Sequence, residues 1–330
     1  MSYKRIKNQR VLVTGGAGFI GSNLCDDLLK NDNHVVCFDN FSTGLRENIT
    51  SFLQNENFTL IKADIRSLEA CHNAMQNIDI VLHQAALGSV PRSLNDPIST
   101  NEVNISGFLN VLIAARDANV KRFVYAASSS TYGDSQELPK IEENIGKPLS
   151  PYAVTKYVNE LYAHVFGLNY GMQVIGLRYF NVFGRRQSPQ GAYAAVIPKF
   201  VELLINHQSP KINGDGTFSR DFTYIDNVIQ MNHLAALTDN PSATGEVFNT
   251  AVGQKADLNQ LTAKLKDLLK QFDPVIEDIE IEHGPERNGD IPHSLASIEK
   301  AQTMLGYSPT HTLETGLVEA IDWYWSDLKK

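Results

Sequence analysis

The strongest constraint on the fold is a glycine cluster that follows a short apolar run near the start of the chain. The segment reads VLVTGGAGFIG over residues 11–21, and an amphipathic helical pattern begins at its end. Glycines at 15, 18 and 21 allow a tight turn, a close approach of the backbone to a pyrophosphate, and close packing of the helix on the strand. The segment therefore predicts a dinucleotide-binding turn at a strand-to-helix junction, with the phosphates at the amino end of the helix.

From this turn to about residue 178, short apolar runs alternate with longer amphipathic ones. The strand candidates are residues 11–14, 34–39, 58–62, 80–83, 122–126 and 173–177. The helix candidates are residues 20–30, 67–75, 99–118 and 152–170. Nearly continuous apolar strands separated by helices are typical of a parallel sheet covered on both faces. We therefore expect an α/β fold whose residues 1–180 form a doubly wound, parallel-sheet Rossmann domain.

Residues 181–330 have a different pattern, in which longer loops separate shorter elements. Helices are predicted there at residues 194–206, 225–237, 257–271 and 313–323. No low-complexity linker separates the two parts, so we expect the second part to pack tightly on the first. We expect residues 181–330 to be a smaller, mixed α/β substrate-binding region, with some segments returning to the first domain.

Charge and cysteine content exclude several classes of function. The 37 acidic and 29 basic side chains give a net charge of −8, which does not fit a nucleic-acid partner. The three cysteines are scattered, and neither their number nor their spacing fits a disulfide framework or a zinc site. No run reaches the roughly 18 apolar residues of a membrane span. We expect a cytoplasmic protein that binds no membrane.

Asp39 ends the second predicted strand 18 residues after Gly21. A carboxylate at this point can accept both hydroxyls of the adenosine ribose, and it repels the 2′-phosphate of NADP. We therefore predict NAD as the cofactor. Asp64 and Ile65 follow the third strand where an adenine ring could lie between side chains; alternatively, Asp64 caps the helix that begins near Ser67.

A serine, a tyrosine and a lysine form the candidate catalytic group. Tyr152 and Lys156 are four residues apart at the start of a helix, so they project from the same face. Ser128 follows the fifth strand at the carboxyl edge of the sheet, where open α/β folds bind ligands. To act as a base, the Tyr152 phenol needs its pKa lowered by about 3 units, which Lys156 and an oxidised nicotinamide can supply together.

Eight motifs, in order along the chain, resemble the extended short-chain dehydrogenase/reductases, and specifically their sugar-nucleotide epimerase branch. They are TGGAGFIG (14–21), DNFSTG (39–44), HQAA (83–86), SSSTYG (128–133), SPYAVTK (150–156), LRYFNVFG (177–184), SRDFTYIDN (219–227) and RNGDIPHS (287–294). Within that branch the sequence is most similar to the UDP-N-acetylglucosamine 4-epimerases.

The resemblance implies two sets of binding residues. NAD is expected at Gly15, Gly18, Phe19, Ile20, Asp39, Asn40, Asp64, Ile65, Gln84, Ala85, Asn104, Tyr152, Lys156 and Tyr179. The nucleotide sugar is expected at Gly88, Ser89, Ser128, Ser129, Tyr152, Asn181, Val196, Arg220, Arg287, Asp290 and Ser294. A guanidinium is a natural partner for a diphosphate, which supports Arg220 and Arg287 independently.

The implied reaction is reversible inversion at C4 of UDP-N-acetylglucosamine through a 4-keto intermediate, with NAD kept tightly bound. Small Ser294 leaves room for an acetamido group where the resembling epimerases of simple hexoses place a tyrosine. UDP-glucose/UDP-galactose and UDP-N-acetylhexosaminuronates remain alternative substrates. Dehydratases and decarboxylases of this fold carry carboxylates near positions 128–130, and this chain has serines there.

Three further expectations concern an alternative class of function, the oligomeric state and metal binding. A protein that binds NAD as a sensor or interaction module without turnover is the alternative from another class of function. The resemblance implies a homodimer in which helices 99–118 and 152–170 of two copies pair as a four-helix bundle. His83 and His293 belong to no ligand cluster, so we predict no metal.

Overall fold

The apolar runs of the sequence form a parallel sheet in the computed structural model, which describes residues 3–190, 195–286 and 292–329. The strands of the described residues are β1 (Arg10–Thr14), β2 (His34–Asp39), β3 (Phe58–Lys62), β4 (Ile80–His83), β5 (Arg122–Ser128), β6 (Val174–Tyr179), β7 (Val182–Phe183), β8 (Lys211–Asn213), β9 (Ser219–Arg220), β10 (Thr223–Tyr224), β11 (Val247–Thr250), β12 (Ala256–Asp257) and β13 (Glu282–Gly284). Seven of them form the main sheet, in the order β11-β6-β5-β4-β1-β2-β3.

Helices cover both faces of this sheet. Those of the described residues are α1 (Phe19–Leu29), α2 (Leu68–Ala74), α3 (Val90–Asn95), α4 (Pro97–Asn101), α5 (Phe108–Asp117), α6 (Pro151–Tyr170), α7 (Val196–Ile205), α8 (Ile225–Leu237), α9 (Leu258–Leu269), α10 (Glu299–Leu305) and α11 (Leu313–Leu328). None of them is long and apolar enough to cross a membrane.

The core has two layers because side chains alternate along each strand. On β1, Val11 and Val13 pack in one apolar cluster and Leu12 packs in another, and all three are fully buried. Every pairing within the main sheet is parallel, as in the register Val13↔Cys37 between β1 and β2. The predicted doubly wound α/β fold is confirmed.

Several elements depart from the predicted bounds, and two of these departures concern the candidate site. Strand β5 was expected to end at residue 126, but it continues to Ser128, so this serine is itself the last residue of a buried strand. The single helix expected at residues 99–118 is divided, since a π-helical segment, Glu102–Gly107, lies between α4 and α5. Such wider turns are frequent at functional sites, and this one carries Asn104.

The last strand of the main sheet comes from the second half of the chain. Strand β11 pairs in parallel with β6, with Phe248 beside Leu177 and Asn249 beside Arg178. It lies beyond the boundary expected near residue 180. Because β11 forms the edge of the sheet next to β6, residues on both sides of that boundary contribute to one sheet and to the site at its carboxyl edge.

Candidate active site

The glycine-rich turn between β1 and α1 has the geometry that its sequence predicts. Gly15 has a φ of +66°, and a Cβ there would lie 2.8 Å from the Ala85 backbone. A Cβ on Gly21 would lie 2.1 Å from the Gly15 carbonyl oxygen, so side chains are excluded at both positions. Gly18 precedes α1, and within the described chain no side chain caps this helix. Its first N–H groups are therefore available to a phosphate.

A cleft with a volume of about 340 Å³ lies above this turn, at the carboxyl ends of the strands. Ten of the residues predicted to bind NAD or substrate line it: Gly15, Gly18, Phe19, Ile20, Asp39, Asn40, Ile65, Gln84, Ala85 and Gly88. It is also lined by Ser42 and Thr43, which sequence analysis did not select although they belong to the DNFSTG motif. A larger cavity of about 740 Å³, next to Phe222 and Thr312, contains none of the predicted residues among its described lining.

Asp39 lies buried at the end of β2, where its carboxylate is held by the backbone of the turn. Oδ2 accepts a hydrogen bond from Ala17 N at 2.9 Å, and Oδ1 accepts one from Phe41 N at 2.7 Å. Each carboxylate oxygen has a further lone pair that a hydroxyl can use. The glycine turn and this oriented carboxylate together fit the pyrophosphate and one ribose of NAD.

The other predicted adenine-side residues are connected to one another. Asn40 Nδ2 donates to Asp64 Oδ2 at 2.8 Å, and Arg66 binds the same carboxylate through Nε at 3.1 Å and Nη2 at 2.9 Å. The hydrogen bond from Arg66 is the main cause that lowers the pKa of Asp64 to about 2. The alternative expectation, in which Asp64 caps the following helix, is wrong because Ser67 itself caps α2 by accepting from Ala70 N.

Tyr179, Gln84 and Asn232 form a ring of hydrogen bonds, and sequence analysis missed Asn232. The Tyr179 hydroxyl donates to Gln84 Oε1 at 3.1 Å and accepts from Asn232 Nδ2 at 3.0 Å. Gln84 Nε2 closes the ring by donating to Asn232 Oδ1 at 3.3 Å. Burial raises the pKa of Tyr179 to about 12, so this hydroxyl is neutral at physiological pH. Asn232 lies on α8, and no local pattern in that helix distinguishes it.

Helix α6, which carries Tyr152 and Lys156, begins where its sequence predicts. Ser150 caps α6 by accepting from Ala153 N, and Pro151 occupies the first turn. Tyr152 and Lys156 therefore lie one turn apart on the same face. Lys156 is 3% exposed, and its Nζ donates to the Ala126 carbonyl oxygen at 2.7 Å. Burial lowers the pKa of Lys156 to about 8, while the Glu160 carboxylate acts in the opposite direction.

Ser128 and Tyr152 are brought together at the carboxyl end of β5. Ser128 Oγ accepts from Ser130 N at 3.2 Å and from Ser130 Oγ at 2.9 Å, which orients the hydroxyl. A hydrogen bond from Ser128 lowers the pKa of Tyr152, but burial has the larger effect, and the pKa is raised overall. The expected fall of the Tyr152 pKa therefore does not come from the side chains of this group alone; a positive charge beside the phenol would act in the required direction.

Asn104 joins the cleft to helix α6. Its Oδ1 accepts from Leu87 N at 2.8 Å, and its Nδ2 donates to the Leu87 carbonyl at 3.2 Å and to Thr155 Oγ1 at 3.1 Å. Asn104 is almost fully buried in the π-helical segment. The segment that follows β4 is thereby held at a fixed position relative to α6.

The other predicted substrate residues of the first half, Gly88, Ser89 and Ser129, lie in the segments that follow β4 and β5. Ser89 caps α3 by accepting from Arg92 N at 3.1 Å, directly after Gly88 at the cleft. Ser129 begins the short 3-10 helix Ser129–Tyr132 that follows Ser128. These residues frame the carboxyl ends of β4 and β5.

Three of the predicted substrate residues of the second half, Asn181, Arg220 and Ser294, lie in segments that are hydrogen-bonded to one another. Asn181 Nδ2 donates to the Asp221 carbonyl at 3.1 Å, next to Arg220 in the chain. Arg220 Nη1 donates to the Ser219 and Pro292 carbonyls at 2.9 and 3.2 Å, and Ser294 N donates to the Ser219 carbonyl at 3.0 Å. Val196 is the first residue of α7. Arg287 and Asp290 lie outside the described residues.

The histidines named by sequence analysis have protein partners. His83 Nδ1 pairs with Thr14 Oγ1 at 2.9 Å, and burial lowers the pKa of His83 to about 3, so the ring is neutral. His293 Nδ1 pairs with Ser219 Oγ at 2.9 Å. In the described part of the chain, Asp226, His311 and Glu319 cluster with metal-like spacing, but the Arg185 guanidinium lies 2.8 Å from Asp226 and disfavours a cation there.

The chain is similar in sequence and in fold to solved structures of UDP-sugar 4-epimerases. The UDP-N-acetylglucosamine 4-epimerase of Methanobrevibacter ruminantium M1, in complex with UDP-N-acetylmuramic acid, is 39% identical with a TM-score of 0.90 over 98% of this chain and 100% of its own. A UDP-glucose 4-epimerase of Thermotoga maritima with UDP-glucose is 34% identical, with a TM-score of 0.88 over 97% and 99%. The UDP-glucuronic acid 4-epimerase of Bacillus cereus, with UDP-glucuronic acid and NAD, is 32% identical, with a TM-score of 0.86 over 96% and 99%.

A model of one protein family covers most of the chain. It matches residues 11–251, from the first strand of the glycine turn to the residue after β11. The matched range contains the cleft, the oriented Asp39 carboxylate and the Ser128, Tyr152 and Lys156 group, and the cofactor that this geometry fits is NAD. The chain belongs to the NAD-dependent epimerase/dehydratase family.

Proposed function

We propose that this protein is a UDP-sugar 4-epimerase that interconverts UDP-N-acetylglucosamine and UDP-N-acetylgalactosamine. The observation that carries the proposal is the convergence of Ser128, Tyr152 and Lys156 at the carboxyl edge of the sheet, beside a cleft suited to NAD. The similarity to three UDP-sugar 4-epimerases supports the general reaction. The 39% identity to the M. ruminantium enzyme supports the acetylated substrate.

Each side chain of the catalytic group has a distinct role in this proposal. NAD, when bound, supplies the group that takes a hydride from C4 of the sugar and later returns one. Tyr152 accepts the proton of the 4-hydroxyl and returns it after the 4-keto sugar has rotated. Ser128 hydrogen-bonds the same sugar oxygen, and the Lys156 ammonium stabilises the Tyr152 phenolate. The configuration at C4 would be inverted because Tyr152 returns the proton to the same oxygen after the sugar has presented its opposite face.

Substrate binding is assigned to the predicted substrate residues of the second half of the chain. Arg220 and Arg287 are proposed to bind the diphosphate, while Asn181, Val196 and Asp290 contact the nucleotide or sugar. If binding energy is concentrated on UDP, the sugar itself is loosely held and free to rotate. The division into a cofactor-binding part (1–180) and a mainly substrate-binding part (181–330) is part of the same proposal.

Ser294 is proposed to set the preference among sugars. Its backbone is bonded to the Ser219 carbonyl, beside Arg220, and a serine side chain leaves space for an acetamido group at C2. UDP-glucose/UDP-galactose and UDP-hexuronates remain alternatives, because enzymes named for UDP-glucose and UDP-glucuronic acid are also similar.

Kinetics on a panel of UDP-sugars test the proposal. The purified protein should contain nicotinamide and should interconvert the N-acetylhexosamine pair faster than UDP-glucose/UDP-galactose or the hexuronates. Ser294→Tyr should lower turnover of the acetylated pair by about 5- to 150-fold, since overfilling a packed site costs roughly 1 to 3 kcal/mol. Ser294→Ala is the matched control and should keep the preference.

The possible outcomes separate the alternatives. If wild type binds NAD but interconverts no UDP-hexose, the protein is better explained as a sensor or interaction module. If the ratio of acetylated to non-acetylated turnover is unchanged in Ser294→Tyr, then Ser294 does not line the sugar pocket.

We also propose that the protein is a homodimer. The outer face of α6 is apolar and exposed at Val154, Leu161, Val165 and Leu168, and the Leu168 side chain is 76% exposed. Exposed Leu94 and Ile98, on the neighbouring helices α3 and α4, add to this face. A continuous apolar face of this kind is typical of a helix that packs against a second copy.

A further inference from the structure

A buried ion pair fixes helix α6 to the sheet. Arg178 on β6 binds Glu160 on α6 through two hydrogen bonds, Nε to Oε1 at 2.9 Å and Nη2 to Oε2 at 2.7 Å. The two side chains are 3% and 7% exposed. Glu160 lies one turn after Lys156, and the Arg178 guanidinium lies 4.8 Å from the centre of the Tyr132 ring. The ion pair thus positions α6 and the end of the turn that begins at Ser128.

Glu160 also reaches this turn through a hydroxyl. Thr131 Oγ1 donates to Glu160 Oε1 at 3.3 Å and lies in hydrogen-bond contact with the Ser128 carbonyl. The short helix Ser129–Tyr132 is therefore held at both ends, by Ser128 and by the Tyr132 ring under Arg178.

Asn249 connects the Tyr132 end of this turn to the rest of the site. The Tyr132 hydroxyl donates to Asn249 Oδ1 at 2.7 Å. Asn249 Nδ2 donates in two directions, to the Lys140 carbonyl at 3.0 Å and to the Ser297 carbonyl at 2.9 Å. Asn249 is fully buried, and its N–H donates to Glu142 Oε1 at 2.8 Å. One acceptor and two donors on a planar group are the property of an amide, so no other side chain of this size can make these bonds.

The hydrogen bonds of Asn249 lead to the segment next to Ser294, the residue proposed to line the sugar pocket. Lys140 N donates to the Leu295 carbonyl at 2.7 Å, and Ser297 N donates to the Lys140 carbonyl at 2.9 Å. Residues 295–297 are therefore tied both to Lys140 and to Asn249. Ser294 directly precedes them, and its own N–H is bonded to Ser219.

We infer that Asn249 is a positioning residue that sets the distance between the turn carrying Ser128 and the segment carrying Ser294. The inference rests on the proposed function. The sugar must be oxidised at C4 and, after it has rotated, reduced again at the same atom, so the pocket wall has to keep its place relative to Ser128 and Tyr152, and small displacements cost large factors in rate. The acetamido group fills the space beside Ser294, and it is therefore the part of the substrate most sensitive to a shift of residues 294–297.

Tyr132→Phe and Asn249→Asp test the inference. Tyr132→Phe removes one hydrogen bond and keeps the ring under Arg178; Asn249→Asp places an acceptor opposite two carbonyls and is the more severe change. Both should lower the ratio of kcat/KM for the acetylated pair to that for the non-acetylated pair by at least about fivefold. Both should also increase the reduced nicotinamide that accumulates during turnover, since a displaced keto sugar is reduced less efficiently.

A matched control separates positioning from loss of stability. Tyr324→Phe removes another buried hydroxyl, whose hydrogen bond to Gln187 Oε1 is 3.3 Å long, and Tyr324 packs in a different apolar cluster from the one that holds Tyr132 and Ala296. It should lower the melting temperature as Tyr132→Phe does while leaving the substrate ratio within about twofold of wild type.

The outcomes distinguish this inference from the function on which it rests. A wild-type enzyme that turns over both sugar pairs, together with an unchanged ratio and unchanged reduced nicotinamide in Tyr132→Phe, would overturn the inference and leave the epimerase proposal intact. A wild-type protein without turnover of any UDP-hexose would overturn both. Should Asn249→Asp fail to fold, Tyr132→Phe decides the question alone.

Discussion

Replacing the buried Lys156 by methionine should make the protein more stable and nearly inactive. The Lys156 ammonium is almost completely enclosed, and burial lowers its pKa from an ordinary value of 10.5 to about 8. Keeping it charged in the folded protein at neutral pH therefore costs about 3 kcal/mol, at 1.36 kcal/mol for each unit of pKa. Lys156→Met removes this cost and loses the hydrogen bond to the Ala126 carbonyl, worth about 1 kcal/mol. We expect a net gain of about 2 kcal/mol in the free energy of unfolding.

The stability advantage of Lys156→Met over wild type should decrease as the pH rises. Between about pH 8 and pH 10.5 the unfolded chain keeps its Lys156 proton while the folded chain releases it, so the unfolded state binds more protons. The free energy of unfolding of wild type therefore rises with pH across this interval relative to that of Lys156→Met. The advantage of the variant is complete below pH 8 and disappears toward pH 10.5.

Urea unfolding of the NAD-free proteins, measured at about pH 7 and about pH 10, gives both quantities. Turnover of the variant should fall at least about 100-fold, because the charge that stabilises the Tyr152 phenolate is lost. Lys121→Met is the matched control: its ammonium is exposed and pairs with Asp79 at 2.7 Å, so the free energy of unfolding should change by less than about 1 kcal/mol. A methionine variant less stable than wild type at neutral pH, or a difference that does not vary with pH, would refute the argument.

Three other changes have defined outcomes. Tyr152→Phe should lower turnover at least about 100-fold with NAD content unchanged, and more than a tenth of wild-type activity would exclude Tyr152 as the base. Asp39→Ala should yield protein largely free of NAD, because up to two charge-assisted hydrogen bonds of roughly 1.5 to 3 kcal/mol each are lost; full NAD content after gel filtration would contradict this. Leu161→Glu should convert a dimer to monomers in sedimentation experiments, whereas Val318→Glu, which is equally exposed on α11, should not.

Local sequence was sufficient to predict strands β1 to β6 of the main sheet. Buried strands such as β1 consist of consecutive apolar residues, and a parallel sheet requires that pattern. The turn at Gly15 and the start of α6 at Ser150 were predictable for a related reason, because each depends on the properties of one or two residues. A left-handed φ favours glycine, and an exposed helix N-terminus favours serine.

The features that sequence analysis missed depend on contacts between distant segments. Asn249 is one polar residue in a four-residue strand, and its partners Tyr132 and Ser297 are far from it in the chain. The Glu160–Arg178 ion pair likewise joins a helix to a strand, and neither residue differs in type from a surface charge. Asn104, in the segment that interrupts the expected helix, bonds to Leu87 and Thr155, and only the assembled fold supplies these partners.

The return of β11 to the main sheet has a consequence for protein engineering. Because β11 covers the edge of β6, a fragment that ends near residue 180 would leave a row of unpaired N–H and C=O groups along β6, the kind of edge that promotes aggregation. A chimera that exchanges everything after residue 180 would replace one strand of the cofactor-binding sheet together with Asn249. A chimera that is meant to take its specificity from a related enzyme should therefore keep Val247–Thr250 of the recipient. The segments exchanged would then lie on both sides of this strand and would not form one continuous block.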